Sequence, residues 1–143
     1  PGIIQSMDRN DTGKFAIPSC RPPTALEFFG VETDERGRFQ GFHVRLIDEN
    51  LDACVHVYAD YSPDLASFFA DLAVNWRDWA NAREWVSQEG ELRLSATHDG
   101  RGHIALSVVL CNGTPCRWSA EAVIHTEAGL LDRIAADCRE FVG

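Results

Sequence analysis

The chain has 143 residues, of which 45% are hydrophobic and 24% charged, and its formal net charge is −9. A chain of this length can bury about two-thirds of its unfolded surface in one core, so we expect a single domain and exclude disorder as its main state. No apolar run approaches the roughly 18 residues of a membrane span, which predicts a soluble protein without membrane contact. The acidic balance excludes general nucleic-acid binding, because that function normally depends on a basic patch.

An irregular lead-in is expected over residues 1–23, because Pro18, Pro22 and Pro23 interrupt any long regular element. At most a short strand is expected near residues 15–17. Met7 is the only methionine, so we expect the natural chain to start there and residues 1–6 to be a non-native remnant. A single domain would then cover residues 24–143.

Three strands are expected after the lead-in, over residues 24–33, 39–47 and 51–59. The second and third of these segments show the period-two alternation of half-buried strands. In the second segment the apolar residues alternate with His43 and Arg45, and in the third they alternate with His56 and Tyr58. Polar turns separate the segments, so we expect consecutive antiparallel strands.

A helix is expected next, with Ser62 as its N-cap and Pro63 at its first position. One stripe of this helix is strongly apolar and consists of Leu65, Phe68, Phe69, Leu72, Trp76 and Trp79. A stripe of this width is typical of a helix that packs on its own core. A groove for a partner is the alternative interpretation.

Period-two alternation returns after Arg83 and predicts three more strands joined by hairpin turns at residues 98–103 and 112–113. A second amphipathic helix is expected over residues 127–141. Short connections favour antiparallel pairing. The sequence therefore predicts an α+β fold of two layers, in which a mostly antiparallel sheet of about six strands packs against two amphipathic helices.

Five cysteines are an odd number in a chain large enough to have its own core, and we expect them to be reduced in the cytoplasm. Cys111 and Cys116 bracket the turn sequence Asn-Gly-Thr-Pro, where a disulfide would be incidental. His103 and His125 fall on neighbouring predicted strands, yet no compact spacing typical of a zinc site is present. The sequence therefore predicts no metal, no cofactor and no catalytic residue.

The densest group of titratable residues is the turn that contains His98, Asp99 and His103. A histidine beside a carboxylate could serve as a general base or bind a ligand. The plainer interpretation is a polar hairpin tip, since Asp-Gly is a strong hairpin signal.

A second group of candidate binding residues lies on two adjacent predicted strands. His43, Arg45, His56 and Tyr58 all occupy the faces opposite the apolar ones. If the helices leave this side of the sheet uncovered, it is the natural ligand or partner site. The alternative is a solvated outer face, which antiparallel sheets commonly have.

Several short motifs follow one another along the chain at specific spacings. They are Phe-Phe-Ala-Asp-Leu-Ala-x-x-Trp from Phe68 to Trp76, Trp-Val-Ser-Gln-Glu-Gly from Trp85 to Gly90, His-Asp-Gly-x-Gly-His in the turn, Trp118, and the final helix from Gly129. By these motifs the chain resembles a family of small actinobacterial proteins known only as a domain of unknown function. A bias of 12 arginines to one lysine fits a high-GC genome of that kind. The resemblance implies no activity and no catalytic residues.

Two classes of function fit the sequence. The leading hypothesis is a non-enzymatic cytoplasmic binding module that engages a protein partner through its acidic surface, and a basic protein is the partner that such a surface would attract. By analogy only, an immunity-like protein is one version of this hypothesis. The alternative is a small-molecule-binding protein or an enzyme that uses the histidines on the open sheet face. Charge that merely keeps the protein soluble is the plainer explanation of the acidity.

Overall fold

The structure is a computed structural model that describes residues 13–59 and 64–142. Its described elements, in chain order, are β1 (Lys14–Pro18), β2 (Ala25–Thr33), β3 (Phe39–Asp48), β4 (Leu51–Tyr58), α1 (Leu65–Asn75), β5 (Arg83–Val86), β6 (Leu92–His98), β7 (His103–Asn112), β8 (Trp118–Glu127), a 3₁₀ turn (Ala128–Leu130) and α2 (Leu131–Val142). Within these ranges, neither helix is long and apolar enough to cross a membrane.

The strands form two antiparallel four-stranded sheets, ordered β1-β2-β3-β4 and β5-β6-β7-β8. The α+β class, the antiparallel pairing and the two helices are therefore confirmed. The prediction of one sheet of about six strands in two layers differs from this arrangement. Helix α1 separates β4 from β5, and the strands after it form a second sheet instead of extending the first. In addition, β5 and β6 are two distinct strands.

One hydrophobic core receives the inward side chains of both sheets and both helices. Phe28 and Phe42 of the first sheet are fully buried. Helix α2 enters this core through Phe141, whose ring lies edge-on against Phe15, Phe28 and Phe42 at centroid distances of 5.3, 6.1 and 5.8 Å. Because each sheet buries one face in this core, its opposite face carries the exposed and half-buried side chains.

Hydrogen bonds tie the two sheets together at two places. After β1, the Cys20 N–H donates to the His125 carbonyl of β8, and the Ser19 hydroxyl oxygen accepts the His125 N–H. Just before β6, the carboxylate of Glu91 accepts the Tyr58 N–H of β4 and, within its own sheet, the Ser87 hydroxyl. The hydrogen bonds of Cys20, Ser19 and Tyr58 connect residues far apart in the sequence and fix the position of one sheet against the other.

Both helices are shorter than the apolar stripes indicate. Helix α1 ends at Asn75, although Trp79 beyond it is still buried at 4% exposure. The proposed N-cap Ser62 and Pro63 lie outside the described residues. Helix α2 begins at Leu131, because residues 128–130 form a 3₁₀ turn in place of its expected first turn.

The expectation that all five cysteines are reduced is wrong for one pair. Cys111 at the end of β7 and Cys116 before β8 form a disulfide with a Cα–Cα distance of 5.5 Å, since the turn returns the chain to its starting point. Cys20, Cys54 and Cys138 are free. Burial raises the pKa of the Cys138 thiol to about 12, so this side chain behaves as a small apolar group.

Truncating Phe141 tests the packing of α2 on the first sheet. We expect Phe141→Ala to lower the free energy of unfolding by about 3–5 kcal/mol, because it leaves a cavity among three other phenylalanine rings. The matched control is Val74→Ala in α1, where the side chain is 77% exposed, and its effect should stay within about 0.5 kcal/mol. Urea unfolding measures both. Equal stability of the two variants would contradict this packing.

Candidate functional site

The outer face of the first sheet carries the polar residues that the alternation placed there. The register puts Phe29 opposite His43 and His43 opposite His56, while Arg45 lies opposite Glu27 and Cys54. We call these outward side chains of β2, β3 and β4 the histidine face. The prediction that the histidines lie opposite the apolar residues is confirmed by the buried Phe42, Val44, Val55 and Val57 on the other side.

Two histidines and one glutamate converge on the histidine face. The rings of His43 and His56 lie 4.9 Å apart, edge to face. His56 Nε2 is 2.6 Å from Glu32 Oε1, as in a hydrogen bond from the imidazole to the carboxylate. One nitrogen of each ring and one Glu32 oxygen all lie within 4.8 Å of one another. We call Glu32, His43 and His56 the His–Glu cluster.

Glu32 is the member of this cluster that sequence reasoning missed. The pairing of β2 with β3 shifts between Phe29 and Glu32, and Glu32 then pairs with Gly41. Gly30 lies within this irregularity with a φ of +65°, a conformation that side chains other than glycine rarely adopt. A glycine inside a strand pattern was the available signal for a bulge. The hydrophobic alternation of the sequence does not show which side chain after Gly30 a bulge would redirect.

Two glycines make room for the histidine rings. A Cβ on Gly30 would lie 2.9 Å from His43 Nδ1, and a Cβ on Gly41 would lie 3.3 Å from His56 Nε2 and 2.5 Å from the Val57 carbonyl. Real Cβ atoms essentially never approach within 3.0 Å, so a larger residue at position 30 would displace the His43 ring, while one at position 41 would clash with the Val57 backbone and crowd the His56 ring. The cluster therefore occupies space that the absence of two side chains provides.

One nitrogen of the cluster is buried without a partner. His43 Nδ1 makes no hydrogen bond to any described residue, although it is shielded from solvent. The ring stacks against Phe29 at 5.4 Å and 21°, which holds its orientation. An unpaired buried polar atom costs free energy, so this nitrogen is the feature of the face that a bound ligand would most directly satisfy.

Arg45 lies on the histidine face but is committed to other partners. Its guanidinium donates to both carboxylate oxygens of Asp52 at 2.8 and 2.6 Å and lies 3.5 Å from Glu27. Its hydrogen bonds lower the pKa of Asp52, which keeps that carboxylate ionised. Tyr58 is 42% exposed two residues beyond His56. The structure thus brings His43 and His56 together, whereas Arg45 flanks them in a separate ion pair.

An open groove of about 810 Å³ borders the histidine face along β1 and β2. Its lining includes Phe29 together with Glu27 and Arg45. Phe29 belongs to the groove and also stacks on His43. A ligand at the cluster therefore has an adjoining surface with both apolar and charged groups.

The other predicted group, the hairpin tip of His98, Asp99 and His103, uses its polar atoms to hold the turn. His98 Nδ1 accepts the Gly100 N–H, so Nε2 carries the proton and donates to the Trp79 carbonyl. Asp99 accepts the His103 Nδ1–H at 2.6 Å and backbone N–H groups of the turn. The tip borders an open cleft of about 320 Å³, but His98 has no ring nitrogen left to act as a base.

The family of the chain follows from its sequence match. A model described as a family of unknown function (DUF6228) matches residues 17–143. The chain belongs to this family. The match begins within β1 and extends through the remaining strands and both helices, so it includes every residue of the His–Glu cluster. No match was found among curated proteins.

The hairpin tip generates a prediction about acid titration. The hydrogen bond from His103, with the backbone N–H of Arg101, holds the pKa of Asp99 at about 2 instead of 3.8. A lowered carboxyl pKa stabilises the folded protein above the unfolded value of 3.8, and this contribution is lost as the pH falls through about 2. In His103→Ala we expect the pKa of Asp99 to rise, measured by NMR of the side-chain carboxyl carbon.

Asp34 is the internal control for this titration, because backbone N–H groups of Arg38 and Arg36 lower its pKa and none of them changes in the variant. An unchanged pKa of Asp99 in His103→Ala would show that the backbone groups alone hold it down.

Proposed function

We propose that this protein is a binding module for a small ligand, and that the ligand binds on the histidine face at the His–Glu cluster. The observation that carries the proposal is the convergence of Glu32, His43 and His56 beside a buried nitrogen without a partner. The adjoining groove supports the same location, because Phe29 lines it and also stacks on His43.

The histidine face is a better candidate than the hairpin tip for a physical reason. At the tip, the polar groups are satisfied by the turn itself, and the His103 side chain is 70% exposed. At the His–Glu cluster, one ring nitrogen is neither solvated nor paired within the described residues. A ligand would gain more at the second place, because it pairs a group that water does not reach.

Native mass spectrometry tests this proposal. The wild-type chain, purified under non-denaturing conditions, is expected to carry a non-covalent ligand that denaturation releases. His56→Asn should lose this mass, because it removes one ring of the cluster, and we expect the fold to tolerate the change since this side chain is exposed. The matched control, His98→Asn with His103→Asn, should keep it. A wild-type chain without bound mass, or equal retention by all variants, contradicts the proposal.

A second candidate function is favoured by the net charge of −9. In this alternative the protein engages a basic protein partner through its acidic surface, with an immunity-like role as one version. Charge supports the class of partner, but it selects no particular surface of the molecule.

The salt dependence of capture separates this alternative from the first. A single basic protein that co-purifies with the chain and elutes as salt rises would support it, because screening weakens such contacts. Retention of that protein by His56→Asn would show that its surface is distinct from the histidine face. Failure of any protein to co-purify above background would contradict it.

We also propose an actinobacterial origin and a cytoplasmic location. The origin is supported by the arginine bias, in which Lys14 is the only lysine. The location is supported by the free thiols of Cys20, Cys54 and Cys138. The disulfide between Cys111 and Cys116 is unusual for this location, because cytoplasmic thiols are generally kept reduced.

A further inference from the structure

We propose that the ligand of the His–Glu cluster is a divalent transition-metal ion, bound by one ring nitrogen each of His43 and His56 and by the carboxylate of Glu32. This inference rests on the proposed function and narrows it to one class of ligand. Within residues 13–59 and 64–142, the His–Glu cluster is the sole group of three His, Cys, Asp or Glu side chains whose ligand atoms lie close enough together to hold a metal ion.

The ligand atoms lie close to the positions that a metal ion requires. Nitrogen and oxygen ligands at about 2.0–2.2 Å from a tetrahedral zinc ion are separated from one another by about 3.3 Å. The three atoms of the cluster already lie within 4.8 Å of one another. Small rotations of the side chains would therefore complete the approach, without movement of the strands that carry them.

The types of ligand select the class of ion. Two imidazoles and one carboxylate suit zinc and its first-row neighbours, whereas magnesium and calcium prefer oxygen ligands alone. Binding requires an unprotonated ring nitrogen, so the proton that His56 Nε2 shares with Glu32 would leave to solvent as the ion enters. The ion would take the place of that proton between the same two groups.

Space and an unpaired atom provide an independent observation at this position. Gly30 and Gly41 leave room beside His43 Nδ1 and His56 Nε2. His43 Nδ1 is buried and has no hydrogen-bond partner among the described residues. A Glu–His hydrogen bond on a solvated sheet would explain His56 and Glu32, but it leaves this nitrogen of His43 unexplained.

The surrounding charges permit a cation. The guanidinium of Arg45 on the same face is neutralised by Asp52 and Glu27, at 2.6 and 3.5 Å. Three protein ligands leave at least one coordination position open to water, as in zinc sites that exchange ligands.

Metal titration of the untagged full chain tests the inference. Isothermal titration calorimetry with Zn²⁺ is expected to give one equivalent for the wild type. Glu32→Gln keeps the size of the side chain and removes its charge, and His56→Asn removes a ring; each should weaken binding at least about tenfold. The control, His98→Asn with His103→Asn, removes two histidines outside the cluster and should bind as the wild type does. Circular dichroism confirms that each variant is folded.

Cobalt spectroscopy identifies the ligand atoms in the same samples. Co²⁺ bound by nitrogen and oxygen gives visible d–d bands, and a thiolate ligand adds a near-ultraviolet charge-transfer band. We expect the visible bands without the thiolate band. A thiolate band, a wild-type chain that binds no metal, or equal affinity of all variants overturns the metal site. If native mass spectrometry then still shows an organic ligand that His56→Asn loses, the proposed function stands and only its metal fails.

Discussion

The pairing of β3 with β4 is the constraint on which the candidate site depends. Antiparallel pairing places His43 directly opposite His56, with their rings 4.9 Å apart. A shift of one residue in this register would turn one ring into the core and expose an apolar side chain in its place. Burial of Phe42, Val44, Val55 and Val57 opposes any such shift. The hydrophobic core therefore specifies the geometry of the polar face behind it.

A local irregularity in β2 adds the third member of the cluster. The shifted pairing after Phe29 and the positive φ of Gly30 redirect the chain, so that the Glu32 carboxylate reaches His56. Bulges of this kind commonly re-aim a side chain at functional positions. Gly30 thus has two effects, because it permits the backbone conformation and also leaves space for the His43 ring.

The two groups of histidines show why proximity alone does not make a site. At the hairpin tip, both ring nitrogens of His98 are used by the turn and by the Trp79 carbonyl, and Asp99 accepts three N–H groups. On the histidine face, the hydrogen bond between His56 and Glu32 leaves His43 Nδ1 unpaired. The first group stabilises a turn, while the second retains a buried ring nitrogen that no described residue pairs.

Sequence reasoning predicted the strands and their faces well, because alternation reports local burial directly. His43, Arg45, His56 and Tyr58 were placed correctly on the outer face for this reason. The division into two sheets was not predicted, since no local pattern shows that the segment containing α1 ends one sheet and starts another. The role of Glu32 was also missed, because it depends on a bulge and on a contact across 24 residues of sequence.

X-ray absorption fine structure of the zinc-loaded full chain is the most direct test of this account. The register of β3 with β4 and the bulge at Gly30 predict a first shell of nitrogen and oxygen at about 2.0–2.1 Å, with the outer-shell scattering of two imidazole rings. A first shell that contains sulfur at about 2.3 Å would contradict the account, because the ion would then be held by cysteine and not by the His–Glu cluster.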